Sequence, residues 1–195
     1  MSSRMIVFAV LAVAGLAADL WTKHLCFDRN YPHELAPNEA TWWVWKGVLG
    51  CQPSLNQGAL FGMGQGSSSV LAAVAIAACI GIVVWLFVFR AGRDWWLTVP
   101  LGTIYGGILG NLYDRLGFWH GSEAAPWEQQ AVRDWIHFRL AGVPLFDPWP
   151  NFNIADSLLV CGAIFLFVHL MWIAPRQEAA AKRAAQEPPN RTAAT

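Results

Sequence analysis

The sequence predicts an all-α membrane protein built on four transmembrane helices. Of its 195 residues 55% are hydrophobic and 13% charged, against about 25% charged in an ordinary soluble domain. Four apolar runs stand apart along the chain, and several of its twelve Trp residues fall where those runs meet polar segments. That is the depth at which an amphipathic ring is favoured in a bilayer. Lys plus Arg and Asp plus Glu number 13 each, so net charge gives no argument for nucleic acid or any other polyanion as a partner.

Each run is judged against the roughly 20 residues a helix needs to cross a bilayer. The first, over 5–22, begins behind Arg4 and has small residues at 14–18, so its early part also has the form of a cleaved secretory signal. Continuation through Leu20 and Trp21 brings it to spanning length, and it is read as retained. Residues 70–89 are uncharged throughout. Residues 95–113 are also uncharged and place Gly102, Gly106 and Gly110 at every fourth position, a spacing that lets another helix approach closely. The last span, 155–174, enters at Asp156, contains His169 and is expected to stop at Pro175. Beyond it, residues 176–195 are too poor in apolar side chains to bury a core and are expected to be disordered or a frayed helix.

Lys and Arg near helix ends accumulate on the cytoplasmic side. Arg4, Arg90, Arg93, Arg176, Lys182, Arg183 and Arg191 all flank spans on one side, which puts both termini in the cytoplasm and the two long connections outside. The Cys residues, at 26, 51, 79 and 161, include no CxxC pair and signal neither a zinc site nor a disulfide framework. Cys26 and Cys51 share one outside segment and would pair in an oxidising compartment; the sequence leaves this open.

Five polar clusters lie in those connections and at the helix ends beside them: Asp19-Leu-Trp-Thr-Lys23, Asn56-Gln-Gly-Ala-Leu-Phe-Gly62, Gly110-Asn-Leu-Tyr-Asp-Arg115, Val132-Arg-Asp134 and Phe152-Asn-Ile-Ala-Asp156. All belong to one face of the membrane, where ionisable groups gathered at one depth are a functional hypothesis by default. Singly, each has a plain structural reading. Asn153 with Asp156 is a helix N-cap with an acid in the first turn. Asp19 with Lys23 is an i,i+4 helix pair worth about 0.2–0.5 kcal/mol. Asp114 and Arg115 form a solvated helix end, Asn56 begins a turn, and Asp134 lies in an extended segment rich in β-branched and aromatic residues.

Taken in order, the five clusters resemble signal peptidase II, most specifically through Phe152-Asn-Ile-Ala-Asp156-Ser and Gly110-Asn-Leu-Tyr-Asp-Arg115. The resemblance implies an aspartic endopeptidase of the bacterial inner membrane, with its site on the extracytoplasmic face in a small β-rich cradle formed by the two outside connections. It implies Asp134 and Asp156 as the catalytic pair and Asn111 and Asn153 as their support. Asn56, Asp114 and Arg115 would line the groove for substrate or for the cyclic peptide globomycin, with Asp19 and Lys23 structural at the membrane surface. The substrate would be a prolipoprotein whose Cys already carries diacylglycerol, cut just before that Cys. The enzyme would be a monomer among membrane lipids, needing neither cofactor nor metal.

Two departures stand out. The segment 116–133 is longer than the family usually carries, and Trp135 replaces the usual Phe. Glu123 and Glu128 within that segment are therefore rival acids, though neither has the family's apolar flanks, and Asp147 lies between the two motifs. A second class of function, a small proton-coupled transport component relaying protons through Asp114, Asp134 and Asp156, would need polar groups across the full bilayer. The acids lie instead at one edge.

Overall fold

The apolar runs become helices that bundle beneath a small sheet. The structure, a computed structural model, describes residues 2–30, 40, 42–58, 64, 66–89, 94–119 and 128–186. Within these, the elements in order are α1 (Ser2–Asn30), β1 (Trp42–Trp45), β2 (Leu49–Asn56), α2 (Ser68–Phe87), α3 (Trp95–Arg115), β3 (Val132–Phe138), β4 (Trp149–Phe152), α4 (Ile154–Val168), a π-helical turn (His169–Ile173) and α5 (Ala174–Gln186). Ala59 to Gly62, Arg90, Arg93, Glu123 and Arg191 lie outside the described residues.

Among the described residues three helices are long and apolar enough to cross a membrane: Ser3–Phe27, Ser68–Phe87 and Ile154–Ala180. α3 is the right length, 21 residues, but its glycines, Pro100 and polar C-terminal turn lower its apolarity. Its place in the bundle explains why this is tolerated, since α3 packs against α1, α2 and α4 together. A Cβ on Gly106 would come within 2.9 Å of the Ala12 carbonyl, and one on Gly102 within 3.2 Å of that of Phe8, so the expected close approach is to α1. Gly107, which the spacing did not single out, does the same for α4, 2.6 Å from the Ala155 carbonyl.

The helix of the last span does not stop at Pro175. Proline breaks a helix because it lacks an N–H and its ring meets the carbonyl one turn back. Here the backbone first widens into the π-turn, with Ala174 N–H donating to His169 O. The widened turn makes room for the Pro175 ring, which has no N–H to give the ladder. The tail is accordingly helical as far as Gln186. His169 is buried, its Nε2 3.5 Å from Asp94 Oδ2, which ties the end of α4 to the residue capping α3.

The sheet is antiparallel throughout, in the order β1-β2-β3-β4. It draws two strands from each long connection, as the β-rich cradle required. Register between β2 and β3 slips between Cys51 and Ser54, where Pro53 has no N–H to give the ladder; past the slip, Ser54 pairs with Asp134. Cys26 of α1 and Cys51 of β2 are bridged by a disulfide, answering the question the sequence left open. Phe27, Leu55, Trp119 and Trp135 pack around it, so the unusual Trp135 serves the seam between sheet and helix α1.

Candidate active site

Two side-chain networks meet where α1, α3, β3 and the start of α4 converge. The first is an ionic quartet. Lys23 Nζ lies 2.7 Å from Asp19 Oδ2 and 2.9 Å from Asp114 Oδ2, and the Arg133 guanidinium lies 2.8 Å from Asp114 Oδ1. Arg133 also donates its backbone N–H to Asp114 Oδ2 at 3.0 Å and stacks over Trp119, 4.9 Å from the ring centre. Asp19 Oδ1 accepts the Ala155 N–H at 2.9 Å, in the first turn of α4. All four residues are buried, with formal charges that cancel.

These positions correct one expectation and extend another. Asp19 and Lys23, expected to be structural, are fully buried inside the protein, because α3, β3 and α4 close over them. Asp114 does not line the groove. Successive helical residues point about 100° apart, so Asp114 turns inward to the quartet while Arg115, next to it, turns toward the groove and donates to Gly58 O at 3.0 Å. Arg133 is the member that sequence reasoning passed over. Strand alternation, which puts the neighbour of Asp134 on the opposite face, was the available signal.

The second network holds Asp134 and Asp156. Asn153 caps α4 in a reciprocal box: its Oδ1 accepts the Asp156 N–H at 2.9 Å, and Asp156 Oδ2 accepts the Asn153 N–H at 3.2 Å. The same asparagine donates from Nδ2 to Asp134 Oδ1 at 2.7 Å. Asn111 Nδ2 donates to Asp156 Oδ1 at 2.8 Å, and its Oδ1 accepts from Lys23 at 3.1 Å and from Asn153 at 3.0 Å. Asn56 completes the set. Its Oδ1 accepts the Gly58 N–H at 2.9 Å in an Asx turn, while its Nδ2 donates to Asp134 Oδ2 at 3.1 Å. Each carboxylate oxygen of the pair therefore receives one donor and keeps capacity for water or a shared proton.

Burial, and then the negative charge of Asp156, push the Asp134 carboxyl up to about 8, against the opposing pull of Asn56, Lys23 and Asn153. This is the expected behaviour of a desolvated acid facing a like charge.

Both carboxylates line a groove of about 720 Å³, within the roughly 300–1,000 Å³ of ordinary ligand sites. Asn56, Asn111 and Arg115 share its polar end, and its walls are apolar: Leu71, Val74 and Ala78 from α2, and Leu159, Val160 and Ala163 from α4. Glu128 and Asp147 are not among the lining residues. Asp147 instead accepts from Arg139 at 2.5 Å and from the Gly142 N–H at 2.9 Å. Among the described residues no group of His, Cys, Asp and Glu is arranged to hold a metal ion.

A helical bundle with segments apolar enough to span a membrane, a small sheet and an apolar groove that holds two carboxylates define the class: a membrane enzyme. Residues 11–172 match the family described as signal peptidase (SPase) II, and the chain belongs to that family. It is 46% identical over 168 residues to a lipoprotein signal peptidase of Rhodopirellula baltica, covering 86% of this chain and 72% of that one. A lipoprotein signal peptidase of Geobacillus thermodenitrificans is 30% identical, with 88% and 93% covered. A bacterial membrane enzyme solved by the in meso method at 2.3 Å superposes with a TM-score of 0.63 over 97% of this chain and 96% of its own, at 21% identity, and so shares the fold. The protein is a peptidase, and the transport alternative finds no support.

Proposed function

We propose that this protein is an aspartic endopeptidase that removes the signal peptide from diacylglyceryl-modified bacterial prolipoproteins, cutting just before the lipidated Cys. The observation that carries this is the pair Asp134 and Asp156 in one groove, each held by asparagine donors, with Asp134 raised to about 8. Two close carboxyls that share one proton supply an acid and a base together.

At neutral pH Asp134 holds the proton. Asp156, in the first turn of α4, sits where aligned peptide dipoles favour negative charge. Asp156 takes a proton from water as its oxygen attacks the scissile carbonyl carbon, and Asp134 donates its own proton to the carbonyl oxygen. As the tetrahedral intermediate collapses, the C–N bond breaks, the proton taken by Asp156 passes to the leaving amine, and the hydroxyl proton returns to Asp134. Asn111 and Asn153 hold the carboxylates in place, the supporting role on which a site's geometry depends. Asn56 and Arg115 face the substrate, and globomycin would occupy the same groove. No cofactor enters.

The apolar walls from α2 and α4 suit a signal helix and acyl chains that arrive sideways from the bilayer. In this reading α3 completes a four-span domain in the bacterial inner membrane, the termini are cytoplasmic and the sheet lies outside, acting as a monomer. The Cys26–Cys51 bridge supports that orientation, since such bonds persist in oxidising compartments, and so does the bias of Lys and Arg near helix ends. Reporter fusions after Arg176 and near Trp43 test it, and an external C-terminus would overturn it. The activity is tested by incubating the purified protein with a diacylated precursor and following the released fragment on a gel. No cleavage of that precursor, beside cleavage of an unlipidated one, would refute the substrate assignment.

A further inference from the structure

The hairpin that carries Asp134 has a feature that peptide cleavage does not require. Between β3 and β4 the chain runs Leu140-Ala-Gly-Val-Pro-Leu-Phe146 without a charged residue. Leu140, Val143 and Leu145 project outward, 37%, 42% and 68% exposed. Apolar side chains gathered on a loop tip are unfavourable in water unless something covers them.

The loop is prepared for a medium without water. Its only charges flank it, and they cancel: Arg139 Nε lies 2.5 Å from Asp147 Oδ1. Three of its six backbone N–H groups turn to its own carbonyls, Leu140 to Phe146 O at 2.6 Å, Val143 to Leu140 O at 3.1 Å and Phe146 to Val143 O at 2.7 Å. Gly142 N–H, at positive φ, donates to Asp147 Oδ2 at 2.9 Å, while Pro144 and Pro148 have no N–H to satisfy. Each such bond lowers the cost of taking the loop's backbone out of water. The base is aromatic, with Phe146 stacked on Trp149 at 5.2 Å and edge-on to Phe138 at 6.1 Å. From Trp149 the chain needs only the four residues of β4, about 13 Å of extended backbone, to reach α4, whose Ile164 and Phe165 are exposed apolar residues of a spanning segment outside the groove.

We infer that the Leu140–Phe146 loop is a lipid anchor, dipping Leu140, Val143 and Leu145 into the leaflet next to the sheet and holding the Asp134 strand at the bilayer surface. The partner is the lipid surface itself, because the loop is joined through the short strand β4 to a helix apolar enough to span a membrane and is electrically neutral.

The test uses the full chain in phosphatidylethanolamine/phosphatidylglycerol vesicles. Leu145→Cys in a Cys79→Ala, Cys161→Ala background carries an environment-sensitive NBD fluorophore, and the same background without Leu145→Cys gives the blank. Interfacial elements lie about 5–10 Å into the headgroup and acyl boundary, so emission should shift to the blue and be quenched at least twofold more by a nitroxide at acyl carbon 5 than by aqueous cobalt on the sheet side. Quenching by cobalt and not by the lipid nitroxide overturns the inference. So does protection without lipid quenching that grows with protein density, since a second copy would then be the cover. None of these readouts uses cleavage, so they stand or fall apart from the proposed activity.

Discussion

Replacing Lys23 with Met tests the quartet most sharply. Its ammonium meets Asp19 at 2.7 Å, Asp114 at 2.9 Å and Asn111 at 3.1 Å, so each of its three N–H donors has an acceptor. Asp19, Lys23, Asp114 and Arg133 sum to zero charge; without Lys23 the buried set carries one uncompensated negative charge. Breaking a buried ion pair by removing one partner costs about 3–5 kcal/mol. Asp19→Asn in the same chain returns the sum to zero, so the double variant should be more stable than Lys23→Met alone, with a coupling energy of about 1–3 kcal/mol. Reversible unfolding in mixed micelles, completed as a double-mutant cycle, measures both quantities. If Lys23→Met lost less than about 1 kcal/mol, the range of exposed pairs, or if the two substitutions simply added, the quartet would not be the electrostatic unit described.

Asp134→Asn and Asp156→Asn should each abolish cleavage while leaving globomycin binding detectable, and the double variant should be no worse than either, as expected of residues that act as a unit. Turnover by Asp134→Asn together with a dead Glu123→Gln or Glu128→Gln would reassign the acid. Gly110→Ala would drive a Cβ into the Asp19 carboxylate, so a loss of about 1–3 kcal/mol is expected from overpacking, read as a fall in melting temperature. Chelators should leave the rate unchanged, and a loss restored by zinc would overturn the two-carboxyl mechanism. Because the folded Asp134 carboxyl sits near 8 and its ordinary value is 3.8, the folded state binds the extra proton between those limits. Its stability should therefore fall as pH rises across that window, by at most about 1.4 kcal/mol per pH unit, and Asp134→Asn should flatten the melting profile.

What could be read from the chain was whatever rests on local periodicity or on a contiguous motif. The uncharged runs became helices, Gly102 and Gly106 met α1, and Asn153 and Asp156 formed the cap that their spacing of three suggested. What could not be read depends on contacts across the fold. Asp114 and Arg115 adjoin in sequence yet serve the quartet and the groove separately, because a helix turns them apart. The i,i+4 pair Asp19 and Lys23 looks like any surface pair until α3, β3 and α4 bury it. The bridge between Cys26 and Cys51 needed the position of β2 beside α1, and the helix ran past Pro175 because a π-turn, which leaves no mark in composition, absorbed the missing donor.

The quartet's position behind the carboxylates suggests what it is for. A buried ionic cluster is a poor device for stability, since apolar residues of similar volume often serve as well or better. It is a good device for orientation. The third donor of Lys23 goes to Asn111 Oδ1, and Asn153 Nδ2 goes to the same oxygen. That fixes which end of the Asn111 amide faces Asp156; the reverse orientation would set an oxygen against the carboxylate and an NH₂ against an ammonium. Arg133 in turn holds Asp114, and so Lys23, from the strand on which Asp134 is the next residue. The charged cluster thus connects α1, α3 and β3 to one decision, the direction of a single amide at Asp156. Lys23→Met should accordingly lower kcat even when assayed well below its melting temperature, whereas a variant that only loosens the bundle, such as Gly102→Ala, should regain full turnover on cooling.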